Sequence, residues 1–221
     1  MLYLMAVPIG NSKDVSLRVL EKLEEVEIIL CEDTRKTAKL LSIWGVKNKA
    51  KLVSFYDQVE DQKLGQVVNW LKEGKQLALL TDAGSPLISD PGLKLVRKCQ
   101  KENLEHTSVP GASAVINALI LSGLSPTPFC FLGFLTKKKS KRLKLLETYK
   151  DIKMTKVIYE SPFRLLKLLE DVKKVWGDGK QVVVCREMTK KFEQVIKGKL
   201  VDVLSQLESK KIKGEIVVLI A

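Results

Sequence analysis

The chain has 221 residues, which allows one large domain or two small ones. Its hydrophobic fraction of 45% excludes a disordered tail, because that fraction is ample for a folded core. The 38 Lys and Arg against 26 Asp and Glu give a formal charge of +12, which favours a phosphate-rich partner or an anionic membrane surface. General solubility is the alternative explanation of that charge.

Membrane-spanning, secreted and zinc-binding proteins have signatures that this sequence lacks. No run reaches the roughly 18 apolar residues of a spanning helix. The apolar start Met1–Ile9 has no basic residues before it and is too short for a signal peptide. The 4 cysteines form no CxxC pair and there is 1 histidine, which argues against a metal site. We therefore expect a cytoplasmic protein with reduced thiols and no metal.

The first half of the chain alternates strand-like apolar runs with segments of helical periodicity. Strands are predicted at Leu2–Val7, Ile28–Cys31, Leu52–Phe55, Gln76–Thr81 and Thr107–Val109. Helices are predicted at Ser16–Val26, from Asp33 or Thr34 to Trp44, at Gln62–Lys72 and at Leu93–Glu102. This alternation predicts an α/β domain with a mainly parallel sheet.

Three turn-rich segments follow predicted strands of this sheet: Pro8–Asn11, Asp82–Gly92 and Pro110–Ala114. Ligands of open parallel sheets bind beyond the carboxyl ends of the strands, so we expect these segments to form one composite pocket. The loop Thr81–Gly92 reads TDAGSPLISDPG, in which two glycines permit close backbone approach, two prolines add stiffness and two aspartates add charge. It contains neither GxGxxG nor a P-loop, so a tight structural turn is the alternative.

The second half has a different pattern. A helix is predicted at Ala114–Leu121, followed by the aromatic-rich Phe129–Leu135 and the polar Lys137–Lys156. Strands are predicted at Val157–Tyr159, Gln181–Cys185 and Ile216–Ile220, and helices at Ser161–Val175, with Pro162 in the first turn, and at Val201–Leu207. We therefore expect a second, mixed α/β domain over residues 111–221, after a first domain over residues 1–110.

The segment Lys137–Lys156 is strongly basic, with nine basic residues and two acidic ones. Basic side chains next to the aromatic residues of Phe129–Leu135 suit contact with an RNA backbone and stacking on bases. A solvated mobile loop is the alternative, since that is the usual state of a run of charges.

Seven strings occur in order along almost the whole chain: VPIGN, CEDTRKTAKLL, TDAGSPLISDPG, VPGASAV, GFLTKKKSKR, YESPFRLLKLLED and REMTKKFEQVIKG. Together they closely resemble the ribosomal RNA small-subunit methyltransferase I family of the tetrapyrrole methylase superfamily. The resemblance implies a two-domain class III methyltransferase that acts as a homodimer. It also implies S-adenosylmethionine as the methyl donor and 2′-O-methylation of a cytidine ribose in the decoding region of 16S ribosomal RNA, within the small ribosomal subunit.

The resemblance places the cofactor in a cleft between the domains. The residues that it assigns to the cofactor are Pro8, Ile9, Asp82, Ala83, Gly84, Ser85, Ile88, Ser113, Ala114 and Tyr159. The basic residues that we expect to contact RNA are Arg35, Lys137, Lys138, Lys139, Lys141, Arg142 and Arg164.

A ribose hydroxyl is a weak nucleophile, so a base or a hydrogen-bond acceptor should assist it. The candidates are Glu160, Glu32 and Asp33. Each has a structural alternative: Asp33 is a plausible helix cap, Glu32 can be a solvated acid at a strand end, and Glu160 can pair with Arg164. His106, the 1 histidine, precedes a short strand and is expected to be a surface or packing residue.

The sequence departs from the family pattern at two places. The Ser-Tyr-His motif that follows the third strand is replaced by Ser54-Phe55-Tyr56, and the family's ESPHR becomes ESPFR with Phe163. Both changes concern substrate contacts more than cofactor binding. Two other functions therefore stay open: methylation of a tetrapyrrole or protein substrate, and a non-catalytic RNA-binding assembly factor.

Overall fold

The computed structural model describes residues 1–208 and 211–221. Within them the chain divides into two compact units, Met1–Ser113 and Ala114–Ala221, each with its own sheet and core. No helix in the described part of the chain is long and apolar enough to cross a membrane.

The first unit is built on a five-stranded parallel sheet in the order β3-β2-β4-β1-β5. Its strands are β1 (Leu2–Met5), β2 (Ile28–Cys31), β3 (Lys51–Ser54), β4 (Leu77–Leu79) and β5 (His106–Val109). Its helices are α1 (Leu17–Glu25), α2 (Thr34–Ile43), α3 (Asp57–Lys72) and α4 (Leu93–Lys101), with a short 3-10 helix at Ser12–Asp14.

The central strands of this sheet are apolar on both faces. All four residues of β2 are buried, as are all three of β4. Alternate side chains therefore enter two separate cores, with Leu30 and Leu79 in one and Ile29 and Ala78 in the other. Helices cover both faces of such a sheet, because neither face can be left in water.

The second unit contains a mixed five-stranded sheet in the order β6-β7-β10-β8-β9. Its strands are β6 (Phe129–Phe134), β7 (Thr155–Glu160), β8 (Gln181–Arg186), β9 (Gln194–Lys199) and β10 (Ile216–Ile220). Its helices are α5 (Ala114–Ser122), α6 (Lys139–Tyr149), α7 (Leu165–Trp176) and α8 (Leu200–Glu208). β6 is parallel to β7, whereas β10 is antiparallel to both of its neighbours. The predicted fold class, a parallel first sheet and a mixed second domain, is confirmed.

Three features of the second unit differ from what the sequence suggests. The basic segment Lys137–Lys156 is not one loop, because it contains α6 and its last residue, Lys156, is buried in β7. The helix α7 begins at Leu165, because Ser161–Arg164 forms a turn in which the Ser161 carbonyl accepts hydrogen bonds from the amides of Arg164 and Leu165. The strand β9 was missed, since its lysines and Gly198 hide the apolar alternation.

Candidate active site

The loops that follow β1 and β4 meet at the carboxyl edge of the first sheet. The amide of Val7 donates to the Gly84 carbonyl at 2.8 Å, and the amide of Gly84 donates to the Val7 carbonyl at 3.0 Å. The loop that follows β5 lies against the same place, because a Cβ on Gly111 would stand 3.1 Å from the Cβ of Ala6. The three turn-rich segments of the first unit thus share one edge.

The loop Thr81–Gly92 is held in an unusual backbone conformation. Leu87 and Ser89 have φ angles of 71° and 68°, which residues other than glycine rarely adopt. Gly92 has a φ of 120°, and a Cβ there would lie 2.5 Å from Cδ2 of Leu79. Strain of this kind persists where the surroundings enforce it and is concentrated at binding and catalytic sites.

Two charged side chains attach this loop to the end of β2. The carboxylate of Glu32 accepts a hydrogen bond from the Asp82 amide at 3.0 Å, and Lys36 forms an ion pair with the Asp82 side chain. Burial raises the pKa of Glu32, while the hydrogen bond from the Asp82 amide opposes that rise. Glu32 therefore positions the loop and is also an acceptor of raised basicity.

Asp90 is the carboxyl group whose electrostatic surroundings are most unusual at this edge. Burial, together with the charges of Glu32, Asp57 and Asp82, raises the pKa of Asp90 to about 7. The sequence identified Asp90 only as one charge of the loop and did not include it among the candidate bases. The sequence shows Asp90 directly before Pro91 in a stiff loop, but its burial depends on tertiary contacts.

The family to which this fold belongs follows from comparison with known proteins. The family described as Tetrapyrrole (Corrin/Porphyrin) Methylases matches residues 1–204. The chain belongs to the tetrapyrrole methylase family. It is 40% identical over 220 residues to Ribosomal RNA small subunit methyltransferase I of Thermotoga maritima, covering 100% of this chain and 97% of the relative. It is 38% identical to the protein of the same name from Bacillus subtilis, covering 97% of this chain and 72% of the relative.

Solved structures of other methyltransferases share the fold. The methyltransferase CobJ superposes with a TM-score of 0.75 at 17% identity, covering 100% of this chain and 93% of that one. Uroporphyrin-III-C-methyltransferase from Thermus thermophilus gives a TM-score of 0.69 at 18% identity, covering 99% and 93%. These similarities concern the fold alone. The sequence-based assignment to the family, and within it to small-subunit methyltransferase I, is confirmed by the curated relatives.

The cofactor residues that the family resemblance implies are distributed over both units. Pro8 and Ile9 are buried beside the Val7–Gly84 bridge, and Ile88 is 44% exposed. Asp82, Ala83, Gly84 and Ser85 lie in the Thr81–Gly92 loop, and Ser113 ends the first unit. Ala114 and Tyr159 belong to the second unit, where the Tyr159 ring contacts the rings of Phe131 and Phe134. Among the described residues, no cluster of three or more His, Cys, Asp or Glu is arranged to hold a metal ion.

Asp33 caps a helix, so its interpretation as a base requires correction. Its carboxylate accepts hydrogen bonds from the amides of Arg35 at 2.9 Å and Lys36 at 3.4 Å at the start of α2. Hydrogen bonds from the side chain and amide of Arg35 lower the pKa of Asp33 to about 2. A carboxylate that is so weakly basic is a poor proton acceptor near neutral pH.

Glu160 positions a turn through its pair with Arg164, and it stays a candidate base. Its side chain is fully buried, its Oε1 accepts a hydrogen bond from the Ser161 amide at 2.7 Å, and its Oε2 lies 3.1 Å from the Arg164 guanidinium. Burial raises the pKa of Glu160, and the Ser161 amide and the Arg164 charge oppose that rise. Arg164 in turn donates to the Leu135 carbonyl at 2.7 Å, so this pair joins the loops that follow β6 and β7.

Arg142 was predicted to contact RNA, and the structure contradicts this. Its side chain is 8% exposed and its Nε donates to Asp171 at 2.7 Å, so the guanidinium faces the protein interior. It also donates to the carbonyls of Thr136 and Lys137, at 3.0 Å and 3.2 Å. The neighbouring predicted RNA residues Lys137, Lys138, Lys139 and Lys141 are exposed, as is Arg35, whose guanidinium pairs with Asp33.

Proposed function

We propose that the protein transfers a methyl group from S-adenosylmethionine to the 2′-hydroxyl of a cytidine ribose in the decoding region of 16S ribosomal RNA, as a cytoplasmic homodimer. The observation that carries the proposal is the strained Thr81–Gly92 loop, which gathers carboxyl groups of raised pKa at the ligand-binding edge of a methylase fold. The names of the curated relatives support an RNA substrate.

The residues at this edge fit the proposed cofactor. S-Adenosylmethionine supplies a methyl group on a cationic sulfonium, and it also carries an ammonium group, a carboxylate and ribose hydroxyls. Carboxylates at Glu32 and Asp82 favour cationic and hydroxyl groups, and the turn-rich loops supply backbone donors and acceptors. The tight approach of Val7, Gly84 and Gly111 keeps these loops in a fixed arrangement.

The residues of this chain contribute positioning and proton acceptance to the proposed reaction. In-line methyl transfer depends mainly on holding the ribose oxygen behind the methyl carbon. The hydroxyl proton must leave as the new bond forms, and an acceptor works best when its pKa lies near the working pH. Asp90, with a pKa of about 7, meets that requirement, and Glu32 is the second candidate.

The test is methyl transfer from radiolabelled S-adenosylmethionine to isolated 30S subunits and to free 16S RNA, followed by mapping of the modified nucleotide. We expect label on a 2′-oxygen of a decoding-region cytidine. Binding of the cofactor without turnover on either RNA would instead support a non-catalytic assembly factor. Label on a tetrapyrrole or a protein, with none on RNA, would overturn the proposal.

A further inference from the structure

One edge of the second sheet carries three exposed phenylalanines. β6, β7 and β8 all end at this edge, because β6 is parallel to β7 while β7 and β8 are both antiparallel to β10. The register shows that β7 and β8 end at the same height along the sheet. Ile216 pairs with Glu160, the last residue of β7, and with Arg186, the last residue of β8. The rings are those of Phe134, Phe163 and Phe192, exposed by 58%, 90% and 65%.

Single exposed apolar residues are ordinary, but a group of them at one edge marks a binding surface. The same loops carry exposed lysines, and Lys191 lies over the Phe192 ring at 5.6 Å from its centroid. Among the described residues, the exposed lysines of this edge include Lys137, Lys138, Lys191, Lys211 and Lys213. We define these three rings and five lysines as the aromatic-basic edge.

The loops that carry the rings are fixed by their own polar contacts. The Arg186 guanidinium donates to the carbonyls of Phe192 at 3.3 Å and Lys213 at 3.0 Å. Phe163 lies in the turn closed by hydrogen bonds from the amides of Arg164 and Leu165 to the Ser161 carbonyl, at 3.0 Å and 3.1 Å. Hydrogen bonds therefore fix the backbone that carries Phe163 and Phe192, so the exposure of these two rings is a feature of the fold.

We propose that the aromatic-basic edge binds unpaired RNA by stacking bases on Phe163 and Phe192 while its lysines contact phosphates. Protein partners are a poorer match, because lysine is depleted in protein interfaces. Paired RNA is also a poorer match, because its base faces are covered by their neighbours and only the backbone and the minor groove are accessible. Exposed aromatic rings among basic residues are the arrangement with which proteins bind single strands.

The spacing of the strands agrees with this substrate. β7 and β8 are separated by β10, so their ends lie two strand spacings apart, about 10 Å. Strand ends at that separation are farther apart than two stacked bases, so we expect the two loops to present their rings to bases that are splayed apart. This inference rests on the proposed function, because it specifies the conformation of the RNA that the enzyme would accept.

The experiment measures the binding of the full chain to a fluorescent oligouridine of about 12 nucleotides, alone and annealed to oligoadenine. Phe163→Ala and Phe192→Ala are each expected to weaken binding of the single strand about tenfold, and to change duplex binding by less than about twofold. The dependence of binding on salt should stay unchanged, because neither substitution removes a charge. Phe163→Tyr and Phe192→Trp should restore binding, since both keep a ring.

Phe129→Ala is the matched control, because Phe129 begins β6 and so lies at the opposite edge of the same sheet. It should leave binding of both RNAs unchanged. Single-strand binding by the double alanine variant at the wild-type level would overturn the inference, and so would an equal loss on duplex. In another outcome, the double variant would lose the dimer in sedimentation velocity while its RNA affinity per folded chain stays unchanged. That result would assign the edge to contact with a second copy of the chain and would also overturn the inference.

The two proposals can fail separately. Wild-type methylation of 30S subunits together with undiminished oligouridine binding by the double variant would remove this inference alone. In the opposite case, the wild type would methylate no RNA but would bind the single strand in a way that depends on the rings. That result would remove the proposed function and leave the aromatic-basic edge as an RNA-binding surface.

Discussion

Asp90 connects the stability of the fold with the proposed chemistry. Its carboxyl group is half-buried among other acids, and the resulting pKa of about 7 means that ionisation is unfavourable in the folded state. An unfolded aspartate has a pKa of about 3.9. Below that value both states are protonated, and between the two values the unfolded state releases its proton first. The wild type therefore loses stability as the pH rises from about 4 to 7.

Asp90→Asn should thus raise the melting temperature at pH 8, and the difference from wild type should shrink as the pH is lowered to about 4. The same substitution should lower kcat about a hundredfold, because it removes the proton acceptor, while leaving S-adenosylmethionine binding intact. Thermal unfolding across pH and steady-state methylation measure the two effects. A variant with wild-type kcat would exclude Asp90 as the base and would direct attention to Glu32.

Gly92 is the glycine of the site that tolerates substitution least. Gly92→Ala places a Cβ 2.5 Å from Cδ2 of Leu79, in a backbone with φ of 120°. We expect a loss of about 2 kcal/mol in the free energy of unfolding and weaker cofactor binding. Gly65→Ala is the control, because Gly65 lies within α3 with no atom within 4 Å of the new Cβ. Urea unfolding should show that the control is unchanged or more stable, and equal losses in both variants would contradict the steric argument.

At the scale of elements, the sequence was most informative where burial is continuous. β2 was predicted with its observed bounds, because four apolar residues are set between Glu27 and Glu32. α6 was not predicted, because its buried face includes Arg142 and Leu146, and an arginine interrupts the apolar periodicity. β9 was missed for a related reason, since Ile196 is its buried residue and the polar stretch Lys197–Lys199 follows it.

For the candidate site, the sequence predicted which loops meet but not which polar side chains are buried. The alternation of strands and helices predicted a parallel sheet. Because parallel strands end at one edge, the sequence also predicted that the turn-rich segments meet there. The pairing of Arg142 with Asp171 and the burial of Asp90 depend on contacts between distant segments. Such contacts have no local signature, so the sequence assigned Arg142 to RNA and omitted Asp90 from the bases.

The buried pair between Arg142 of α6 and Asp171 of α7 can be tested for its contribution to stability. Asp171→Ala leaves a buried guanidinium without its partner, and we expect a loss of about 3–5 kcal/mol in the free energy of unfolding. Asp178→Ala is the control, because its pair with Lys173 is exposed, and it should change stability by less than about 0.5 kcal/mol. Chemical denaturation measures both. A loss below about 1 kcal/mol for Asp171→Ala would show that the pair is not a structural element.

At the scale of the whole molecule, the formal charge of +12 favours an anionic partner such as RNA but does not say where that partner would bind. The structure separates the lysines of the basic segment by position. Lys137, Lys138 and Lys139 lie at the edge of the second sheet where β6 ends and α6 begins. Buried Arg142 donates hydrogen bonds to the carbonyls of Thr136 and Lys137 there. Lys150 and Lys153 precede β7 and so lie at the opposite edge.

Changing Lys137, Lys138 and Lys139 together to Ala should weaken RNA binding and reduce the slope of log K against log salt by about 2, because each phosphate contact with a single strand contributes about 0.7. Changing Lys144, Lys150 and Lys153 to Ala removes the same charge from the same segment. If net charge alone attracts the RNA, the two triple variants will lose affinity equally. If the edge binds the RNA, the first variant will show the smaller slope and the second will keep nearly the wild-type slope. Titrations at several salt concentrations separate the two outcomes, because a local contact changes the slope and a distant charge is screened within about 10 Å at 0.1 M salt.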